Sequence, residues 1–137
     1  MSEHQLYVLV AEYLQAQYPD VVYRFDLAAD LKLTVGQAKK HKRLHPTRGY
    51  PDLFIAEPAP RCIDGGWNNE WHGLYIEIKK DGESPFKKDG TLKKDQHLEE
   101  QQEMLERLEF RGYKAVFGVG FDEITKIIDD YMRTRWK

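Results

Sequence analysis

Asp52, Glu77 and Lys79 are the residues of this 137-residue chain whose types and spacing bear most directly on chemistry. The stretch Gly73 to Lys80 reads GLYIEIKK. As a strand it sends Leu74, Ile76 and Ile78 to one face and Tyr75, Glu77 and Lys79 to the other, so a carboxylate and an ammonium share a face. Pro51-Asp52 opens another apolar run, DLFIA, which places a second carboxylate at the head of a strand. Two carboxylates at neighbouring strand ends, with the backbone carbonyl of Ile78 between Glu77 and Lys79, supply the hard oxygen donors that Mg²⁺ prefers. A water acidified by such an ion and held by Lys79 could attack phosphorus while charge building on the phosphate oxygens is neutralised. The competing reading of an isolated Glu-x-Lys on an amphipathic strand is a surface ion pair.

Two further polar residues fall on apolar helix faces. In the segment Asp95 to Phe110, Leu98, Met104, Leu105 and Leu108 define a stripe with Gln101 close to its centre, whereas Gln96 and Gln102 point away from it. A buried amide must be hydrogen-bonded, either to a site or to a backbone group it ties down. In the first helix the stripe is Leu6, Leu9, Val10, Tyr13 and Leu14. At roughly 100° per residue Glu3 lies about 50° from its centre and Glu12 about 130° away, so Glu3 is the acid able to look inward. A helix N-terminal acid stabilised by the macrodipole is the other reading of Glu3.

These residues need a frame to hold them. Ser2 can cap a helix running to about Gln17, with Pro19-Asp20 as its stop. Asp20 to Leu27 alternates as a strand, and Val35 to Leu44 is a short helix between Thr34 as cap and Pro46 as stop. Gly49 to Ala56 is the next strand, and Pro58 to His72, with Gly65-Gly66 and Asn68-Asn69, is a loop or hairpin whose Trp67 and Trp71 either pack over the core edge, the preferred reading, or meet a partner. After Gly73–Lys80 comes a lysine-rich loop expected to be exposed and mobile. A helix capped by Asp95 closes at Gly112, and Tyr113 to Gly120 is a strand. The last helix is capped by Asp122 and carries Ile124, Ile127, Ile128 and Tyr131 on one face. The order is helix, strand, helix, strand, strand, helix, strand, helix.

The length suits one domain spanning 1–137. With 41% hydrophobic and 32% charged residues, the composition is that of a water-soluble globular chain. No apolar run is long enough to cross a membrane, and the N-terminus lacks the features of a signal peptide, so a cytoplasmic location in a bacterial or phage-infected cell is expected. The single cysteine, Cys62, cannot form an internal disulfide and fits a reducing compartment. A net charge of −2 does not itself point to a polyanion, but the distribution is uneven. Lys39, Lys40, Lys42, Arg43 and Arg48 cluster with two histidines and no acid, and six lysines, including Lys80, Lys87, Lys88, Lys93 and Lys94, outnumber three acids from Lys79 to Lys94. Such segregation could place positive potential over one surface. Plain solvated faces would give the same pattern.

The ordered set Gly49-Tyr50-Pro51-Asp52-Leu53, Gly73-Leu74-Tyr75-Ile76-Glu77-Ile78-Lys79, and Gln101 ahead of Leu105, Leu108 and Gly112-Tyr113 resembles the VRR-NUC domain, a family of the PD-(D/E)xK nuclease superfamily. The likeness is strongest from Tyr50 to Gly118. It implies an α/β, restriction-endonuclease-like PD-(D/E)xK core with a mixed central sheet flanked by helices, and phosphodiester hydrolysis with Mg²⁺ or Mn²⁺. By resemblance Asp52, Glu77 and the Ile78 carbonyl bind the ion, Lys79 positions or activates the water, Gln101 supports the site, and Glu3 is the first-helix acid. Small stand-alone members, many from bacteriophages, resemble Holliday junction resolvases and act as homodimers. A structure-selective DNA endonuclease cutting branched DNA, with a place in DNA repair, is therefore the expectation. Lys39, Lys40, Lys42, Arg43, Arg48, Lys80, Lys87, Lys88, Lys93 and Lys94 are its candidate phosphate contacts.

Two other classes fit parts of the sequence. A catalytically silent nucleic-acid-binding module would use the same basic residues but would have no need of Asp52, Glu77 and Lys79 in this arrangement. A zinc-stabilised interaction protein would draw on His41, His45, Cys62 or His72, among which no pair has convincing finger spacing.

Overall fold

The computed structural model of the chain describes residues 1–26, 32–63 and 66–134. Its centre is a mixed four-stranded sheet in the order β1-β2-β5-β6, made of β1 (Tyr23–Phe25), β2 (Leu53–Ile55), β5 (Leu74–Lys79) and β6 (Lys114–Val119). The pairs β1·β2 and β2·β5 are antiparallel, and β5·β6 is parallel. The parallel crossover is made by α3 (Gln96–Phe110). A separate antiparallel pair, β3 (Ala59–Ile63) and β4 (Gly66–Trp71), forms a hairpin between β2 and β5.

The alternation within β5 sorts two layers. Leu74, Ile76 and Ile78 join Leu53 and Ile55 in a core closed by Leu6, Val10 and Leu14 of α1 (Glu3–Gln17) and by Ile124, Ile128 and Tyr131 of α4 (Gly120–Arg133). Tyr75 turns to the opposite layer with Leu105 of α3 and Ala115 and Phe117 of β6. Both faces of β5 are therefore covered, so the Glu77 side of the strand is buried where the sequence pattern alone also allowed a solvated face. Tyr13 and Tyr18 both donate to the Asp129 carboxylate, fastening α1 to α4.

Several elements depart from the sequence expectation for local reasons. The strand expected over Asp20 to Leu27 pairs only from Tyr23 to Phe25, because the Val21 N–H still closes a turn on the Tyr18 carbonyl; Leu27 lies outside the described residues. The strand expected from Gly49 pairs only from Leu53, since Gly49 takes φ of 84° and Pro51 has no N–H to donate. The Pro58 to His72 stretch is a paired hairpin, with the Arg61 guanidinium 4.0 Å above the Trp71 ring; the side chains of Cys62 and Trp67 lie outside the described residues. The lysine-rich loop is a closed turn rather than a free segment. Pro85 is fully buried, Phe86 stacks edge-on against Phe117, and the backbone N–H groups of Lys87 and Lys93 donate to the carbonyls of Thr91 and Pro85. Asp122 does not cap α4, because β6 runs straight into it from Gly120, leaving the carboxylate within the first turn, where it still complements the helix dipole.

The second helix, α2 (Val35–Leu44), has the expected Thr34 cap, completed by Gln37 as a capping box, but buries none of its residues.

Gly49 is the hinge between this exposed segment and the core. A Cβ there would lie 2.7 Å from the Glu100 carbonyl oxygen, in a backbone conformation that L-residues rarely adopt. Gly49→Ala should therefore destabilise the protein by about 1–3 kcal/mol. Chemical denaturation would show it, and a variant as stable as the parent would contradict the close packing of this turn on α3.

Candidate active site

The β2·β5 register sets the site. Leu53 pairs with Ile76, so one residue further along the two strands Asp52 comes opposite Glu77 on the same face. Both side chains are buried, at 3% and 4% exposure. Two like charges facing each other in a place without water are mutually unfavourable. Burial first, and then the charge of Asp52, holds the Glu77 carboxyl well above the usual glutamate range. Asp52 is likewise pushed up, by burial. Its Oδ2 accepts the Ile78 N–H at 2.8 Å, which keeps the carboxylate turned towards the end of β5.

Glu77 is held by Gln101 on one oxygen. Gln101, itself buried on α3, donates from Nε2 to Glu77 Oε1 at 2.9 Å and accepts the Lys79 ammonium on Oε1 at 2.8 Å. Lys79 Nζ stands 4.0 Å from Glu77 Oε1, so the amide joins acid and base that do not touch at hydrogen-bond distance. The same Gln101 Nε2 lies 3.2 Å from His97 Nε2, one turn back on α3. Glu77 Oε2 is buried and meets no N–H or hydroxyl donor among the described residues; what lies beside it is the Asp52 carboxyl, close enough for the two acids to share a proton.

The first turn of α1 reaches the same place. Tyr7 donates to Glu3 Oε1 at 3.0 Å, and its hydroxyl is pushed up by burial and then by the charge and hydrogen bond of Asp52. Glu3 adds to the electrostatic load on both Asp52 and Glu77. Glu12 is exposed along α1, away from this group.

Glu3, Asp52, Glu77, Lys79, His97 and Gln101 all open onto one cleft of about 1160 Å³. Asp26 lines the same cleft with Glu3, Asp52 and Glu77, and Arg24, Lys42, Arg48 and Lys79 bring cationic side chains to it. Of these cations Lys79 is the one joined to the buried acid pair, through Gln101. Among the described residues no three His, Cys, Asp or Glu side chains are gathered as a complete ligand group. The fitting donor set is two buried carboxylates backed by main-chain oxygen and water, which is the way Mg²⁺ is ordinarily held. The structure thus brings Asp52, Glu77, Lys79, Gln101 and Glu3 together. Ile78 enters through its N–H, with its side chain in the core.

The basic residues divide. Lys42 and Arg48 line the cleft from α2 and the turn after it, whereas Lys39, Lys40 and Arg43 are exposed on α2 outside its lining. Lys80 pairs with Glu83 at 3.4 Å, and Lys87, Lys88, Lys93 and Lys94 are exposed on the closed turn between β5 and α3. His41 and His45 also line the cleft, their rings 4.9 Å apart.

Tyr7 and His97 are the site neighbours that sequence reasoning missed. Each stands four residues from a candidate, Tyr7 from Glu3 and His97 from Gln101, on the same helical face. That spacing was the available signal.

One solved structure, described as a VRR_NUC domain protein, is 28% identical to this chain, covers 98% of it and 90% of its own length, and superposes with a TM-score of 0.61. It is of the restriction-endonuclease-like fold. No family model and no curated protein matches the sequence.

The raised Glu77 carboxyl has a thermodynamic consequence. Its folded-state value lies above the ordinary 4.5, so the metal-free native state keeps a proton that the unfolded chain releases. Stability in EDTA should fall as pH rises from about 5 towards 8. Glu77→Gln removes that term, so its unfolding free energy should fall less steeply over the same range. Parallel pH profiles for the two proteins would contradict the buried acid pair.

Proposed function

Because this chain folds as a VRR-NUC domain, a nuclease-domain family, we propose that it is a Mg²⁺- or Mn²⁺-dependent DNA endonuclease, selective for branched structures and acting as a homodimer. The observation that carries the reading is the Lys79–Gln101–Glu77 chain beside Asp52, with no N–H or hydroxyl donor on Glu77 Oε2 among the described residues. A structural ion pair would neutralise itself. Here two buried carboxyl groups face each other, and a divalent cation would relieve that pair, with Asp52, Glu77 and the Ile78 carbonyl as its ligands.

When bound, the ion acidifies a water and offsets charge on the phosphate oxygens. The protein's own residues do the rest. Asp52 is fixed by the Ile78 N–H, and Glu77 by Gln101, so both carboxylates keep their place without reorganising when substrate arrives. Lys79 is held by Gln101 rather than bonded to Glu77, which leaves its remaining N–H groups free to orient a water or a phosphate oxygen. In the reaction the water oxygen forms a bond to phosphorus, one P–O ester bond breaks, and the leaving sugar oxygen takes up a proton.

Lys42 and Arg48 on the cleft wall are the nearest phosphate contacts. Lys39, Lys40, Arg43, Lys80, Lys87, Lys88, Lys93 and Lys94 extend the basic surface, positioning DNA without reading its sequence. One small domain spans little of a branched duplex, and two copies would set two clefts against it.

Purified protein should cut labelled four-way junction, flap or splayed-arm DNA in Mg²⁺ or Mn²⁺ faster than linear duplex, and should cut nothing in EDTA. Lys79→Ala should abolish cleavage with fold and most DNA affinity intact, since it removes one positive charge of many. A fully active Lys79→Ala protein would refute the site assignment, and binding without cutting in either metal would favour a silent DNA-binding module. Asp52→Ala should weaken divalent-ion binding at least tenfold, measured by titration calorimetry. Unchanged affinity would remove Asp52 from the ligand set.

A further inference from the structure

Tyr50 is placed at the site without a part in it. It stands two residues before Asp52 and lines the same cleft as Asp52, Lys79 and Gln101. The residue remains 47% exposed. Even so, the residue is fixed from three directions. On its N-terminal side Gly49 is pressed against the Glu100 backbone of α3, and on its C-terminal side Pro51 is fully buried. Its hydroxyl is hydrogen-bonded to that of buried Tyr75 at 2.8 Å, with the two rings edge to face at 5.5 Å and 82°.

An aromatic ring held this firmly has little conformational freedom left to lose, and its exposed area is presented in one orientation. On the same cleft lining Leu44, 64% exposed at the end of α2, adds apolar surface, and Lys42 and Arg48 supply positive charge. Charge alone would serve a fully paired duplex, which offers phosphates and sugars to its surroundings and hides its base faces in the stack. A fixed aromatic ring on a cleft lining shared with the site carboxylates and with Lys42 and Arg48 matches the combination that binds unpaired strands: cations for the backbone and a π-face for the base.

We propose that Tyr50 is a stacking platform for an unpaired nucleobase, so that the substrate is DNA with an unpaired nucleotide next to the phosphate being cut. The position of that phosphate rests on the nuclease reading. The stacking can be read by binding alone.

The test uses the full chain in Ca²⁺, with strand integrity checked on a gel, and two otherwise identical duplexes carrying 2-aminopurine either paired or unpaired in a one-nucleotide bulge. Wild-type protein should bind the bulged probe more tightly and change its 2-aminopurine emission. Tyr50→Ala should lose that emission change and about tenfold in affinity for the bulged probe, while binding the paired probe as before. Tyr50→Leu, which keeps apolar contact with Tyr75 but has no π-face, should behave as Tyr50→Ala, and Tyr50→Trp should retain both signals. Circular dichroism and melting of each variant show that it is folded. Equal loss on both probes, or no loss in either Tyr50→Ala or Tyr50→Leu, would overturn the proposal. If the protein cuts DNA in Mg²⁺ but the variants do not distinguish the probes, this inference fails and the nuclease reading stands. If the protein cuts no DNA but the Tyr50-dependent discrimination appears, the nuclease reading fails and the stacking platform stands.

Discussion

The antiparallel register of β2 on β5 is the constraint from which the site follows. Pairing Leu53 with Ile76 buries both in the α1–α4 layer and, one step on, obliges Asp52 to face Glu77. A slip of one residue would avoid the clash of charges but would turn the hydrophobic set of β5 to the wrong side. The core therefore enforces an electrostatic arrangement that is unfavourable by itself. Burial raises both carboxyls, and proximity raises Glu77 further.

The surrounding elements moderate that arrangement without cancelling it. The Gln101 amide satisfies one oxygen of Glu77 and the Lys79 ammonium at once, the Ile78 N–H satisfies Asp52, and Tyr7 ties down Glu3. Each hydrogen bond fixes a direction, and none brings a full positive charge into contact with Glu77 Oε2. The fold thus prepares a well-oriented cluster of carboxyl oxygens at the wall of an open cleft. Electrostatic preorganisation of this kind suits chemistry in which charge develops on phosphate oxygens.

Much of this was legible in the sequence because it depends on period. The alternation of Leu74 to Lys79 and the helical phases of Gln101 and Glu3 are local facts, and each residue faces where its period directs it. The Thr34 cap of α2 was equally local. What escaped depends on contacts between distant residues. The strands before Tyr23 and before Leu53 stop short because of a turn bond to Tyr18 and the backbone of Gly49. The lysine-rich turn is ordered by the burial of Pro85 and the packing of Phe86 on Phe117, neither of which its polar composition announces. Tyr7 stands outside the stripe that the sequence suggests for α1, and only the folded chain shows it buried with its hydroxyl on an acid.

The central claim, that Asp52 and Glu77 form a proton-sharing pair which a divalent cation relieves, is tested most directly by calorimetric titration of the metal-free protein with Mn²⁺ near pH 7. The titration is run in buffers of different ionisation enthalpy, so that released protons are counted. The account predicts one-to-one binding with release of roughly one proton per ion, because the cation replaces the proton that the buried pair retains. Binding with no proton release, or no binding at all, would contradict it.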